Sequence, residues 1–238
     1  MSPPSGLRAV IFDFDFTLGD SSEAVVVCMN KALGELGLGP VAPEEIRRTI
    51  GLTLEVACEA LTGVGDPEVH ATFKKLFVRA ADDVMVARTR LLDGVLPALD
   101  SLRKGGVGLG IVTTKFRYRV EEILDHFGER HRFETIVGGD DVAVHKPDPE
   151  GLILALEGLE VSSGESLYVG DHVVDAAAAQ GAGMPFLGVL TGTTKKEEFG
   201  VFPGVGVLQG ARDLPSFLAA VDEWPPTGTR FLGGAGPL

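Results

Sequence analysis

The chain is poor in cysteine, in tryptophan and tyrosine, and in positive charge. Its 238 residues include two cysteines, Cys28 and Cys58, whose separation fits neither a metal-binding pair nor a disulfide framework. They read as small buried hydrophobes in a reducing compartment. Against 34 acidic residues stand 21 lysines and arginines, and the formal charge of −13 disfavours a polyanion such as nucleic acid as the main partner. An anionic substrate must then be drawn in by a local cluster of cations. No basic segment followed by an apolar one opens the sequence, so no signal peptide is expected. One long uncharged stretch, 176–194, is interrupted by Gly181, Gly183, Pro185, Gly188 and Gly192, and reads as a helix end, a turn and a strand rather than a membrane span. The expectation is a soluble, cytoplasmic protein with no membrane partner, either a monomer or a homodimer. Its length allows one sizeable core, or one core with a small second module.

The most informative stretch is LRAVIFDFDFTLGD, from Leu7 to Asp20. An apolar run, Ala9 to Phe12, leads into Asp13 and Asp15, which a strand projects from one face because alternate side chains share a side. Two carboxylates held that close need a cation, a shared proton or open water. Flanking by Phe12, Phe14 and Phe16 argues against open water.

After a break at Thr17 to Asp20, Ser21 and Ser22 are candidate helix caps with Glu23 in the first turn. Apolar residues then recur at helical spacing (Ala24, Val25, Cys28, Ala32, Leu33, Leu36), and the pattern stays helical to about Arg88. Residues 20–89 are therefore expected to form an all-helical module. Beyond it helices and strands alternate: helix 94–104, strand 108–112, helix 118–127, strand 135–137, helix 149–159, strand 166–169, helix 173–180, strand 186–189. That alternation predicts an α/β core, a Rossmann-like parallel sheet with helices on both faces, built from 1–19 and 90–224. The Pro- and Gly-rich end, 225–238, reads as an irregular tail.

Ligands of an open parallel sheet gather beyond the carboxyl ends of its strands. Four strand ends carry suitable residues: Asp13, Asp15 and Thr17; Thr113, Thr114 and Lys115; His145 and Lys146; and Asp171 with Asp175. Taken singly, Asp171 is as readily a helix cap, Asp175 a first-turn acid, Lys146 a surface lysine and Thr113 a hydroxyl bonded to backbone. Taken together they share one edge of one sheet. Several carboxylates around a pocket suit a hard, oxygen-seeking ion such as Mg2+, and a lysine and a hydroxyl facing it suit phosphoryl oxygens. His145 and His172 adjoin these motifs and are candidates for a site role, whereas His70, His126 and His131 are not.

In order and spacing, DFDFT at Asp13 to Thr17, VTT at Val112 to Thr114, HKP at His145 to Pro147 and GDHVVD at Gly170 to Asp175 resemble the motifs of the haloacid dehalogenase (HAD) superfamily, specifically its phosphatases with a helical cap inserted after the first strand. The resemblance covers nearly the whole chain. It implies Asp13 as nucleophile, Asp15 as general acid and base, and Thr113 and Lys146 as phosphoryl binders. It also implies a Mg2+ site at Asp13, Asp171 and Asp175 with the backbone carbonyl of Asp15. Dehalogenases of this fold lack the second acid, which is present here as Asp15. Phosphoglycolate phosphatases and inorganic pyrophosphatases of this cap type are most similar, the latter partly through VTTK-x-R-x-x-V at 112–120; phosphomutases of the β-phosphoglucomutase kind share the cap. The implied partner is a small phosphorylated metabolite. A non-catalytic binding protein on the same fold is the other class, and the filled catalytic positions argue against it.

Specificity is expected from the cap, with Arg47, Arg48, Thr49 and Ile50-Gly51-Leu52 as candidates to meet substrate, and Thr114, Lys115 and Arg117 as rivals from the core side. Both arginines can equally lie on a solvated helix face. One position departs from the family: many relatives have glycine where this chain has Phe16.

Overall fold

The computed structural model describes residues 3–202 and 206–226. In chain order the elements are β1 (Ala9–Phe12), β2 (Gly19–Asp20), α1 (Ser22–Glu35), α2 (Pro43–Arg47), α3 (Leu54–Thr62), α4 (Pro67–Arg88) and β3 (Arg90–Leu91). There follow α5 (Val95–Lys104), β4 (Gly108–Val112), α6 (Arg117–Phe127), β5 (Thr135–Val137), α7 (Glu150–Leu159) and β6 (Ser166–Gly170). The last are α8 (Val173–Gly181), β7 (Phe186–Val189), α9 (Lys196–Phe199), β8 (Gly206–Leu208) and α10 (Leu214–Ala219).

Six strands form a parallel sheet in the order β5-β4-β1-β6-β7-β8. The chain runs from β1 outward through β4 and β5, then crosses back to β6 and continues the other way. The strand order therefore reverses between β1 and β6, and such a reversal opens a crevice at the carboxyl edge. All four β1 side chains are buried, and the three larger ones divide between two cores. Val10 and Phe12 join Leu109, Ile111, Leu167 and Val169 on one face, while Ile11 joins Val112, Tyr168 and the buried residues of α7 and α8 on the other. A sheet covered on both faces explains why these strands read as unbroken apolar runs.

Between β2 and β3 the chain is helical. The main packing is α1 on α4, with Ala24, Val25, Cys28, Met29, Ala32 and Leu33 buried on one and Phe73, Phe77, Ala80, Ala81 and Met85 on the other. Both sets follow helical spacing. Thr53 caps α3 by accepting from the Val56 amide at 3.3 Å, and Asp66 caps α4 by accepting from Glu68 at 2.9 Å. Cys28 and Cys58 are buried free thiols. Among the described residues no helix is long and apolar enough to cross a membrane.

Three features differ from the reading of the sequence. The helical segment is bounded by a two-strand ribbon, Gly19 opposite Leu91 and Asp20 opposite Arg90, whose two-residue strands are too short to show any period. A sixth strand, β8, lies in a glycine-rich stretch that hides it. Ser21 does not cap α1; Asp20 accepts the Ser22 amide at 2.9 Å instead, and the Ser21 hydroxyl is engaged elsewhere. Of the expected irregular tail, 227–238 lies outside the described residues.

The chain leaves β1 through a tight turn in which the amides of Leu18 and Gly19 both donate to the Phe14 carbonyl, at 2.9 and 3.0 Å. Phe16 sits at its apex with φ of 56°, a left-handed conformation that glycine adopts freely. Its ring is 8% exposed and packs into the larger core. The conformation costs about 1–2 kcal/mol, whereas removing a buried phenylalanine side chain costs about 3–5 kcal/mol. Burial therefore outweighs strain. Phe16→Gly is expected to lower stability by roughly 1–3 kcal/mol, seen as a fall of several degrees in melting temperature; an increase would show that strain dominates.

Candidate active site

The crevice holds a compact charge cluster. Phe12 of β1 is level with Ile111 of β4 and Val169 of β6, so Asp13, Thr113 and Asp171 emerge within one residue of a common level. Asp13, Asp171 and Asp175 are 2%, 3% and 0% exposed, and one carboxylate oxygen from each lies within 4.8 Å of the others. Lys146, its side chain 5% exposed, places Nζ 3.0 Å from Asp13 Oδ1 and 2.6 Å from Asp175 Oδ1.

Asp175 is fully engaged from both sides. Its Oδ1 also accepts from the Tyr168 hydroxyl at 3.0 Å, and its Oδ2 accepts from the His172 amide at 3.0 Å, closing the first turn of α8. It is thus both a helix-capping acid and the post that fixes Lys146. Tyr168 escaped the sequence reading, although a phenol in a buried strand must find a partner for its hydroxyl. Asp13 is less well satisfied: despite the ion pair, its buried Oδ1 has no aligned hydrogen bond among the described residues.

Three buried carboxylates against one ammonium leave two negative charges uncompensated. Burial, offset by Lys146 and reinforced by Asp175 and Asp15, pushes Asp13 up to about 6. Burial and the charges of Asp175 and Asp13 drive Asp171 well above the usual carboxylate range. Burial alone would depress Lys146, but Asp13 and Asp175 raise it above its ordinary value, so it stays an ammonium. The missing charge is that of one divalent cation, and an all-oxygen donor set with an orphaned carboxylate oxygen fits a hard one.

Asp15 faces away from this cluster. Its Oδ1 accepts from the Ser21 hydroxyl at 2.5 Å, and its Oδ2 is 3.1 Å from Lys115 Nζ, which lies 3.3 Å from the same hydroxyl. The carboxylate is therefore oriented by a residue from the neck of the helical insert and one from the β4 loop. Its side chain is not part of the acidic triad. Thr113 is buried, and its hydroxyl accepts from the Lys115 amide at 3.3 Å, which leaves its proton free to donate.

Asp15 opens onto a cavity, part of it continuous with solvent, between the helical insert and the sheet edge. Thr49, Ile50, Gly51 and Leu52 line it from the insert, and Thr114, Lys115 and His145 from the core. Arg47 and Arg48 do not: Arg48 is exposed at the end of α2, and Arg47 is half-buried with Nε unpartnered among the described residues. Arg117 is likewise withdrawn, 2.7 Å from Asp141.

A family model for haloacid dehalogenase-like hydrolases matches residues 10–189. A phosphoglycolate phosphatase of Xanthomonas campestris pv. campestris is 31% identical over 185 residues, covering 78% of this chain and 84% of that protein. One from Escherichia coli O157:H7 is 31% identical over 235 residues, covering 90% and 93%. Among solved structures, one described as a haloacid dehalogenase-like hydrolase from Bacteroides fragilis superposes with a TM-score of 0.85 at 39% identity, covering 87% of this chain and 99% of that one.

The loop after β7 closes over the triad, and a Cβ built on Gly192 would overlap Oδ2 of Asp171. No motif flagged this glycine. Gly192→Ala is expected to displace the Asp171 carboxylate and weaken divalent-cation affinity by roughly 10- to 100-fold with a folded core, measured by cation titration of the melting temperature. Unaltered affinity would remove Asp171 from the cation site.

Proposed function

Because the chain belongs to the haloacid dehalogenase-like hydrolase family, we propose that it is a Mg2+-dependent phosphatase acting on a small phosphate monoester. The observation that carries the reading is the buried Asp13 carboxylate, 3.0 Å from the Lys146 ammonium and beside Asp171 and Asp175, two residues before Asp15, which lines the cavity. The names of the similar proteins from Xanthomonas and Escherichia support a monoester over pyrophosphate.

Hydrolysis of a phosphate monoester requires a barrier reduction on the order of 20 kcal/mol or more. General acid–base catalysis supplies only about 100- to 10,000-fold, so proton transfer by Asp15 cannot be the whole mechanism. In the proposed sequence Asp13 Oδ attacks phosphorus, the bond to the ester oxygen breaks, and Asp15 gives that oxygen a proton. Asp15 then takes a proton from water, whose oxygen attacks the phosphorus of the aspartyl phosphate and returns Asp13 as a carboxylate with release of inorganic phosphate. Lys146 and the Thr113 hydroxyl offset charge on the phosphoryl oxygens throughout. Asp13, Asp171 and Asp175, with the Asp15 carbonyl, would hold Mg2+, which would supply further charge neutralisation.

Asp13→Asn is expected to lower turnover of p-nitrophenyl phosphate by at least roughly 1,000-fold with no loss of melting temperature. Asp15→Asn, given the same ester, whose phenolate leaves without a proton, is expected to accumulate acid-stable phosphate on Asp13. Substantial activity in Asp13→Asn would end the nucleophile assignment.

The charge imbalance also predicts a pH dependence. Asp13 has a folded-state value of about 6 against an ordinary 3.8, so the cation-free protein binds this proton more tightly than the unfolded chain does. Stability is then full below about pH 4 and falls as pH rises through 6, by on the order of 3 kcal/mol, with Asp171 acting in the same direction. Mg2+ is expected to raise the melting temperature at pH 7.5 by roughly 5–10 °C and much less at pH 5. An equal effect at both pH values would separate the cation from the triad.

A further inference from the structure

We infer that the cavity beside Asp15 selects phosphate monoesters whose alcohol portion is uncharged and apolar, of arylalkyl type, over esters carrying a carboxylate and over pyrophosphate. The inference rests on the phosphatase reading of the same site and concerns the part of the substrate that departs.

The walls supply the first observation. Val25 and Met29 of α1, Ile50, Leu52, Phe77 of α4 and Phe116 present hydrocarbon to the cavity. Phe116 and Tyr118, both lining residues, stack with ring centroids 5.9 Å apart and planes 19° from parallel, forming a flat aromatic side. An apolar body placed against these side chains gains by losing water, while His145, whose buried Nδ1 has no partner among the described residues, is a polar group of the core wall that such a body leaves unmatched.

The cations supply the second. Three lysines and arginines line the cavity among the described residues, and this chain's own acids hold all of them. Lys115 lies 3.1 Å from Asp15 and Lys74 2.9 Å from Glu55, while Arg119 is gripped by Asp82 and by Glu122. Lys74 also sits 5.4 Å above the Phe116 ring, and the Arg119 guanidinium 5.0 Å from the Tyr118 ring. A substrate carboxylate must displace one of these acids, two of which, Asp15 and Glu55, themselves line the cavity and would repel it. The same holds for a second phosphoryl group. A neutral apolar alcohol meets neither cost.

The test compares benzyl phosphate, 2-phosphoglycolate and pyrophosphate with the full chain in Mg2+; the first two lose alkoxide leaving groups, so the comparison is not dominated by a reactive phenol. Expected is a kcat/KM for benzyl phosphate at least roughly tenfold above either of the others. Glu55→Gln, which frees Lys74, is expected to reduce the benzyl-to-glycolate ratio by roughly fivefold or more. A ratio of one or below in the parent chain, or a ratio indifferent to Glu55→Gln, overturns the inference. Binding by Asp13→Asn, followed calorimetrically, separates the two levels of the argument. Tighter binding of benzyl phosphate without turnover of any ester by the parent chain sustains the inference and defeats the phosphatase reading. Turnover with phosphoglycolate preferred does the reverse, and neither binding nor turnover defeats both.

Discussion

The position of Lys146 between Asp13 and Asp175 is the constraint on which the rest of the site depends. A buried ammonium is costly unless it is paired, and here it is paired twice, at 3.0 and 2.6 Å. Asp175 can serve as its permanent counterion because its remaining valences are taken by the Tyr168 hydroxyl and the His172 amide. Asp13 is left with an ion pair and an unaligned oxygen, the state in which a carboxylate is still available to react. Two acids of the same type in one cluster thus differ in role because one is saturated by its own helix and the other lies at a strand end.

A division of charge separates the two acids of the first motif. Asp13 belongs to an electrostatically overdrawn cluster that calls for a divalent cation, and Asp15 belongs to a balanced set with Ser21 and Lys115. Ser21 follows β2 directly and precedes α1, so the carboxylate on the cavity side is held by the segment through which the helical insert is attached. The position of the insert and the orientation of Asp15 are therefore mechanically linked. The turn that makes this possible has Phe16 at its apex, and its carbonyl accepts from the Thr191 hydroxyl of the loop that carries Gly192. One turn thereby ties the first strand, the insert and the loop over Asp171 together.

The overall charge of −13 made a local cluster of cations the natural device for holding an anionic substrate. The structure distributes them differently. Among the described residues Lys146 is the cation ion-paired with the acidic triad, whereas the cations of the cavity are paired with other acids of the chain.

Sequence alone determined the parallel α/β core, the helical insert and the ordered strand-end residues, because these are written in local periodicity and in spacing along one strand or one helix. The gathering of Asp13, Lys146, Asp171 and Asp175 at one sheet edge was legible for that reason. Other features depended on distances between segments far apart in the chain. The two-residue ribbon of β2 and β3 and the short β8 have too few residues for a period to show. Tyr168 looked like strand filling, Ser21 like a helix cap and Gly192 like a breaker, until tertiary packing set them against Asp175, Asp15 and Asp171 respectively. Arg47 and Arg48 were candidates because positive charge is visible in a sequence; that they do not line the cavity is not. Which cations remain free is decided by pairings such as Lys74 with Glu55 and Arg119 with Asp82, and a sequence records the charges but not the partners.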